Sequence, residues 1–173
     1  MAIVETAKLI FNVKDLPDGR SSRMVQLEPG EIELDETATF DGGSVDVEFY
    51  KTEHFVEVKF KIGATAELIC DRSLQSFKKD LTGSYYIYFD PDDVEESETA
   101  KGSVKKISPV DLSMDISREV RDTMMLDIPI KKIHPEFLDS HGNPVEFEIK
   151  TFGNQAGNEN DIDPRWAALK KLK

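Results

Sequence analysis

The sequence predicts an α+β domain, a mainly antiparallel and barrel-like β-sheet with two short helices packed on it. Three observations carry this expectation. From Val56 onward the even positions Val56, Val58, Phe60, Ile62, Ala64, Ala66, Leu68 and Cys70 are apolar, while the odd positions between them are mostly polar. Successive side chains of a strand point to opposite sides, so this period of two requires one long strand with one buried face and excludes a helix. Further alternating segments are joined by short polar turns, and a few residues suffice to reverse direction only between antiparallel neighbours. Two later stretches, Ser117–Asp127 and residues 163–173, carry helix start signals and apolar residues three or four apart.

Residues 7–13 place Leu9, Phe11 and Val13 on one face, as a strand does, and Leu16-Pro17-Asp18-Gly19-Arg20 breaks it. Residues 24–27 form a short strand closed by Glu28-Pro29-Gly30. Val45, Val47 and Phe49 alternate with Asp46 and Glu48 as the next strand, and Lys51-Thr52-Glu53-His54 leads into the long one. The corner Cys70-Asp71-Arg72-Ser73-Leu74 then turns the chain into a returning pair of shorter strands. Phe77 and Leu81 share a face of the first; Tyr85, Ile87 and Phe89 share a face of the second. Tyr86 and Tyr88 add large rings to the opposite face, which fits a strand covered on both sides or an aromatic edge for a partner. Core packing is the commoner use of such rings.

Residues 90–98 hold six acids, Asp90, Asp92, Asp93, Glu95, Glu96 and Glu98. Their mutual repulsion predicts a flexible acidic loop near 90–103 inside a single domain spanning 1–173. The glycine and ligand spacing of a calcium loop is missing. In the first helix Ser117 is the expected cap, Glu119 favours the positive end of the dipole, and Ile116, Val120 and Met124 line one face. Pro129 blocks continuation. Val145, Phe147 and Ile149 read as a last strand. Asp163 and Pro164 then open the second helix, with Trp166, Leu169 and Leu172 on one side and Lys170, Lys171 and Lys173 near its negative end. So short a helix is marginal alone and has to dock, through Trp166.

At 173 residues the chain is long enough to bury a core without staples. Its formal net charge of −12 disfavours naked nucleic-acid binding, which needs a basic face, and suits either solubility or a basic protein partner. The single cysteine excludes an intrachain disulfide and fits a reducing compartment. The start of the chain has no basic and apolar signal segment, and no stretch approaches the roughly 20 apolar residues of a membrane span, so a cytoplasmic location is expected.

No complete catalytic set stands out. Cys70, His54, His134 and His141 have no zinc-type spacing, and the two later histidines lie in turn-rich sequence. The glycine pairs lack the strand, helix and lysine of a phosphate cradle, and the carboxylates are too numerous to single out an acid and a base. An enzyme is not expected. Arg72 follows Asp71 at the corner, and Arg165 lies two residues after Asp163 at a helix start. Each arginine suits a local ion pair or capping network, and equally the recognition of a phosphate or a partner carboxylate.

The chain resembles the YceD-like family, the large ribosomal RNA subunit accumulation proteins. Cys70-Asp71-Arg72-Ser73-Leu74 is similar to that family's Cys-x-Arg-Cys-Leu corner. The helix from Ser117 through Leu126-Asp127-Ile128-Pro129 is similar to its Leu-x-x-Pro element, and Asp163-Pro164-Arg165-Trp166 to its C-terminal Asp-Pro-Arg-aromatic helix. Many members have a second cysteine at the corner and more after the Leu-x-x-Pro element. Here Ser73 replaces the first, and residues 133–142 keep His134 and His141 but no cysteine. A zinc-type cluster, if the family has one, is therefore lost and no cofactor is expected.

The resemblance implies a bacterial cytoplasmic protein that supports 23S rRNA accumulation; joined to the net charge of −12 and the lack of a catalytic set, it suggests a non-enzymatic factor that binds a basic ribosomal protein or an assembly intermediate. The family is commonly encoded beside a small large-subunit ribosomal protein. Cys70, Asp71, Arg72, Leu74, Asp163, Arg165 and Trp166 are the candidate contacts to partner or rRNA, and Asp92, Asp93, Glu95 and Glu96 those to a basic partner. The alternatives are a general acidic interaction module unrelated to ribosomes, and a hydrolase acting on RNA.

Overall fold

The computed structural model describes residues 7–90, 95–99, 101–107 and 112–145. In chain order these residues form β1 (Ile10–Asn12), β2 (Gly19–Leu27), β3 (Ala38–Lys51), β4 (Val56–Ile69), β5 (Ser76–Asp90), β6 (Ser97–Glu98), β7 (Gly102–Lys106), β8 (Ser113–Asp115) and α1 (Ser117–Asp127). Six strands make one sheet in the order β2-β3-β4-β5-β7-β6, and β1 pairs with β8 in a separate two-stranded ribbon.

The alternating stretch is the centre of the sheet. Every even residue of β4 is buried, from Val56 to Leu68, and the odd residues form the opposite face. β3 pairs with it from Lys51↔Val56 to Ala38↔Leu68, with a bulge between Phe40 and Gly42. The bulge needs Gly42, whose φ of 118° is a conformation that side chains disfavour. β5 pairs with β4 without interruption from Ile69↔Ser76 to Val56↔Phe89. The expected pair of shorter strands is therefore one strand of 15 residues. Its first half carries Lys78, Lys79 and Asp80, so the apolar alternation fades there although the ladder continues.

The apolar face of the sheet is covered by α1 and by the β1–β8 ribbon. Phe11 of β1 meets Phe49 of β3 edge to face, with ring centroids 5.0 Å apart. Leu9, Met114, Ile116, Val120 and Met124 are fully buried between these layers and the sheet. α1 crosses β5 at Gly83, where an added Cβ would collide with the Thr123 methyl group. Because these elements cover the inner face, the sheet has no need to close on itself. The expected barrel is corrected to an open sheet, with β2 and β6 as its two edges.

The helix has the bounds that the sequence predicts, but its cap differs. Ile116 occupies the N-cap position, and Asp115 Oδ1 accepts the Ser117 N–H at 2.8 Å while Ser117 itself is buried. It is the one α-helix among the described residues. Residues 146–150 of the expected last strand and the expected second helix at 163–173 lie outside the described residues. Within the acidic stretch, residues 97–98 and 102–106 are strands, and β7 runs parallel to β5 with Lys105 paired to the buried Glu119 of α1. Residues 7–13 hold only the three-residue β1, flanked by single 3₁₀ turns; Asn12 Oδ1 accepts the Lys14 N–H and starts the second. No helix among the described residues is long and apolar enough to cross a membrane.

Candidate functional site

The Cys70 corner connects β4 to β5 and also receives the chain after α1. The Cys70 N–H donates to Gln75 O and the Leu74 N–H to Cys70 O, both at 2.9 Å, which closes the turn. Leu74 sits at φ 60°, the one positive φ outside glycine among the described residues, and its side chain is 80% exposed. A branched apolar residue held in the left-handed region and turned to solvent is costly on both counts. Cys70 is fully buried, and its Sγ accepts the N–H groups of Arg72 at 3.4 Å and His134 at 3.2 Å. Burial pushes the thiol up. Hydrogen bonds from the Ser73 hydroxyl and N–H, and then from the His134 and Arg72 N–H groups, outweigh burial and bring it down to about 7.

The segment after α1 is clamped to this corner at several points. Asp71 and Lys132 bond reciprocally: the Asp71 N–H reaches Lys132 O at 2.8 Å, and the Lys132 N–H reaches Asp71 Oδ2 at 2.7 Å. Arg72 Nη1 donates to Val145 O at 2.6 Å, and its guanidinium lies 5.1 Å from the Phe137 ring centre. The His134 ring stands edge-on to Phe77 and Phe137, and its Nδ1 accepts the Glu136 N–H at 3.2 Å. Lys132 Nζ continues to Thr37 Oγ1 at 2.7 Å and Asp35 at 3.7 Å.

The structure thus brings Cys70, Asp71 and Arg72 together, and it favours the local reading of Arg72, a fork that fastens residues 132–145 to the corner. Leu74 and Asp71 are the exposed members of this set, and Asp71 is bonded to Lys132. Glu95 and Glu96 are exposed, and Glu96 Oε1 accepts the Lys106 N–H at 3.0 Å. Asp92, Asp93, Asp163, Arg165 and Trp166 lie outside the described residues. Cys70 and His134 are the two soft donors at the corner, and no group of three metal-ligating side chains occurs among the described residues.

Sequence reasoning missed the second feature, the face of the sheet opposite α1, which no helix or second sheet among the described residues covers. The strand registers place Arg20, Tyr50, Glu57, Tyr88 and Val104 side by side across five strands. The next row is Ser22, Glu48, Lys59, Tyr86 and Gly102, where the Tyr86 ring lies over Gly102 and leaves no space for a side chain. Phe55, just ahead of β4, stacks on Tyr88 at 4.8 Å and meets Tyr50 edge-on at 6.3 Å. The Arg20 guanidinium stands 5.9 Å from the Tyr50 ring centre. Tyr50 and Tyr86 are each 40% exposed. Alternation showed each tyrosine's face, but only the registers of four pairings show that they form rows.

Residues 58–173 match the family model described as "Large ribosomal RNA subunit accumulation protein YceD". The chain belongs to the YceD family. No curated protein and no solved structure matches it. The match confirms the resemblance read from the corner, the helix exit and the C-terminal motif, and it places this YceD protein in a family named for large-subunit rRNA accumulation. It includes the corner, α1, Lys59, Tyr86 and Tyr88, and begins after Arg20, Tyr50, Phe55 and Glu57.

Proposed function

We propose that this YceD protein is a non-enzymatic, cytoplasmic factor in large ribosomal subunit biogenesis, supporting 23S rRNA accumulation by holding a basic ribosomal protein or an assembly intermediate. The observation that carries this reading is the family match over residues 58–173. The net charge of −12 supports a basic partner, since the summed field draws cationic chains and repels bare phosphate backbone. The corner supports binding rather than chemistry. Cys70, Asp71 and Arg72 each make hydrogen bonds within the fold, and the apolar Leu74 is held out to solvent. In this reading the protein needs no cofactor.

The test is sedimentation of a tagged copy in lysate of the source cells. Co-migration with large-subunit precursors that fades as salt is raised is the expected result, because exposed charge pairs are screened. A protein that stays at the top of the gradient at low salt refutes stable precursor binding and leaves the general acidic interaction module. Reversing Asp92, Asp93, Glu95 and Glu96 to lysine is expected to weaken the association, and unchanged co-migration would remove the acidic stretch from the interface.

A further inference from the structure

We infer that the face of the sheet opposite α1 carries a cation-binding site, Glu57 framed by Tyr50, Phe55 and Tyr88, that seats a lysine or arginine side chain from an extended basic segment of the partner. The inference deepens the proposed function and rests on its basic partner. Glu57 stands directly between Tyr50 and Tyr88 in the register of β3, β4 and β5, at a cross-strand spacing of about 5 Å on each side. Phe55 precedes Glu57 by two residues on the same face and touches both tyrosine rings. Three rings therefore stand around the position of Glu57 in the sheet. Glu57 is half-buried, and among the described residues no ion pair or hydrogen bond engages its carboxylate.

A half-buried carboxylate beside electron-rich ring faces favours a cation, since the charge pairs with the acid while its alkyl stem or guanidinium plane covers the rings. The face already shows the mode once, where the Arg20 guanidinium lies against Tyr50. The electrostatics agree. Burial first, and then the negative charge of Asp90, the neighbouring Tyr86 and Glu57, push the Tyr88 hydroxyl above the ordinary phenol range. An open groove of about 760 Å³ runs along the same rows past Arg20, Ser22, Glu48, Tyr50, Glu57 and Lys59. It has room for an extended peptide. Lys59 and Lys61 on the face stand opposite Glu48 and Asp46, so each of these lysines has an acid across the ladder, whereas Glu57 has a tyrosine on either side.

The experiment titrates the full chain with an oligo-arginine peptide, followed by calorimetry and by the ring proton signals of Tyr50, Phe55 and Tyr88. Wild type is expected to bind with these rings shifting, and Glu57→Gln and Tyr88→Leu each to weaken binding about tenfold. Glu36→Gln, an equal charge change on an exposed loop, is the control and is expected to have little effect. Equal losses in Glu57→Gln and Glu36→Gln would reduce the effect to net charge and overturn the site. So would binding without ring shifts, or oligouridine binding at the same rings in place of the peptide. Sedimentation run in parallel separates the two readings. Wild type that travels with precursors but ignores oligo-arginine overturns the cation site alone. Peptide binding at these rings without co-migration overturns the ribosomal reading alone.

Discussion

Asp71→Ala is expected to release residues 131–145 from the corner without unfolding the sheet. The substitution removes the carboxylate that accepts the Lys132 N–H at 2.7 Å and leaves the reverse bond, from the Asp71 N–H to Lys132 O, in place. Losing a charge-assisted bond of this kind costs about 1.5 kcal/mol near a surface, or roughly a tenfold rise in local opening. The cost falls on one segment. β4 and β5 keep every ladder bond, and the other clamps, Arg72 to Val145 and His134 to Cys70, face the opening equilibrium together. Native-state hydrogen exchange reads this directly. The amides of Lys132, His134 and Val145 are expected to lose about tenfold in protection as one unit, while that of Val58 in mid-sheet changes little. Unchanged protection at Lys132 and His134, or an equal loss at Val58, would refute the clamp and show that 131–145 opens only with the whole domain.

Cys70→Ser tests the depressed thiol. Its folded value of about 7 lies below the ordinary thiol value, so the folded state sheds the proton first and stability gains with rising pH between the two, to be lost as pH falls through 7. Wild type minus Cys70→Ser, measured by urea unfolding, is expected to grow from pH 7 to pH 9; a flat difference would refute a stabilised thiolate. Gly83→Ala is expected to cost about 1–3 kcal/mol by overpacking against α1. Thr123→Ser deletes the methyl group in the way and should recover most of that cost, and a double-mutant cycle with no coupling would argue against the close approach. Leu74→Gly relieves a φ of 60° at an exposed position and is expected to stabilise by about 1 kcal/mol; a lower thermal midpoint would mean that the leucine side chain packs on something in solution.

The parts of this fold that were legible in the sequence are those whose residues record their own surroundings. β4 has strands on both sides and one covered face, so each even position from Val56 to Leu68 had to be apolar. Ser117–Asp127 announced itself by apolar spacing and by Pro129. β7 was illegible because Gly102-Ser103-Val104-Lys105-Lys106 takes its place from a partner strand, from the Tyr86 ring over Gly102 and from the ion pair between Lys105 and Glu119. The barrel expectation failed for a similar reason. Alternation reports that a face is buried and not what buries it, here α1 and a ribbon made from two segments a hundred residues apart. At the corner, the motif residues were found but the use of Arg72 was not, since its acceptor is the distant carbonyl of Val145.

The two features of the molecule differ in where their parts come from, and this bears on how they would work together. The corner takes Cys70, Asp71, Arg72, Lys132 and His134 from inside the family-matched stretch, whereas the aromatic row takes Tyr88 from that stretch and Tyr50, Phe55 and Glu57 from residues before it. They sit at opposite ends of the same ladder, since Cys70 follows the last pair of β4 with β5, Ile69↔Ser76, and Glu57 stands one pair from the first. About a dozen residues of strand separate them, on the order of 40 Å at the rise of an extended chain. No single side chain of a partner spans that distance, but an extended basic segment crossing the open face does. A partner engaging both would therefore lie along β4, and loss of either end alone should weaken binding without abolishing it. Glu57→Gln and Leu74→Gly combined are then expected to weaken co-migration with precursors by about the product of their separate effects, as distant contacts with one partner do; a double variant no weaker than the weaker-binding single one would mean that the two ends do not hold the same partner.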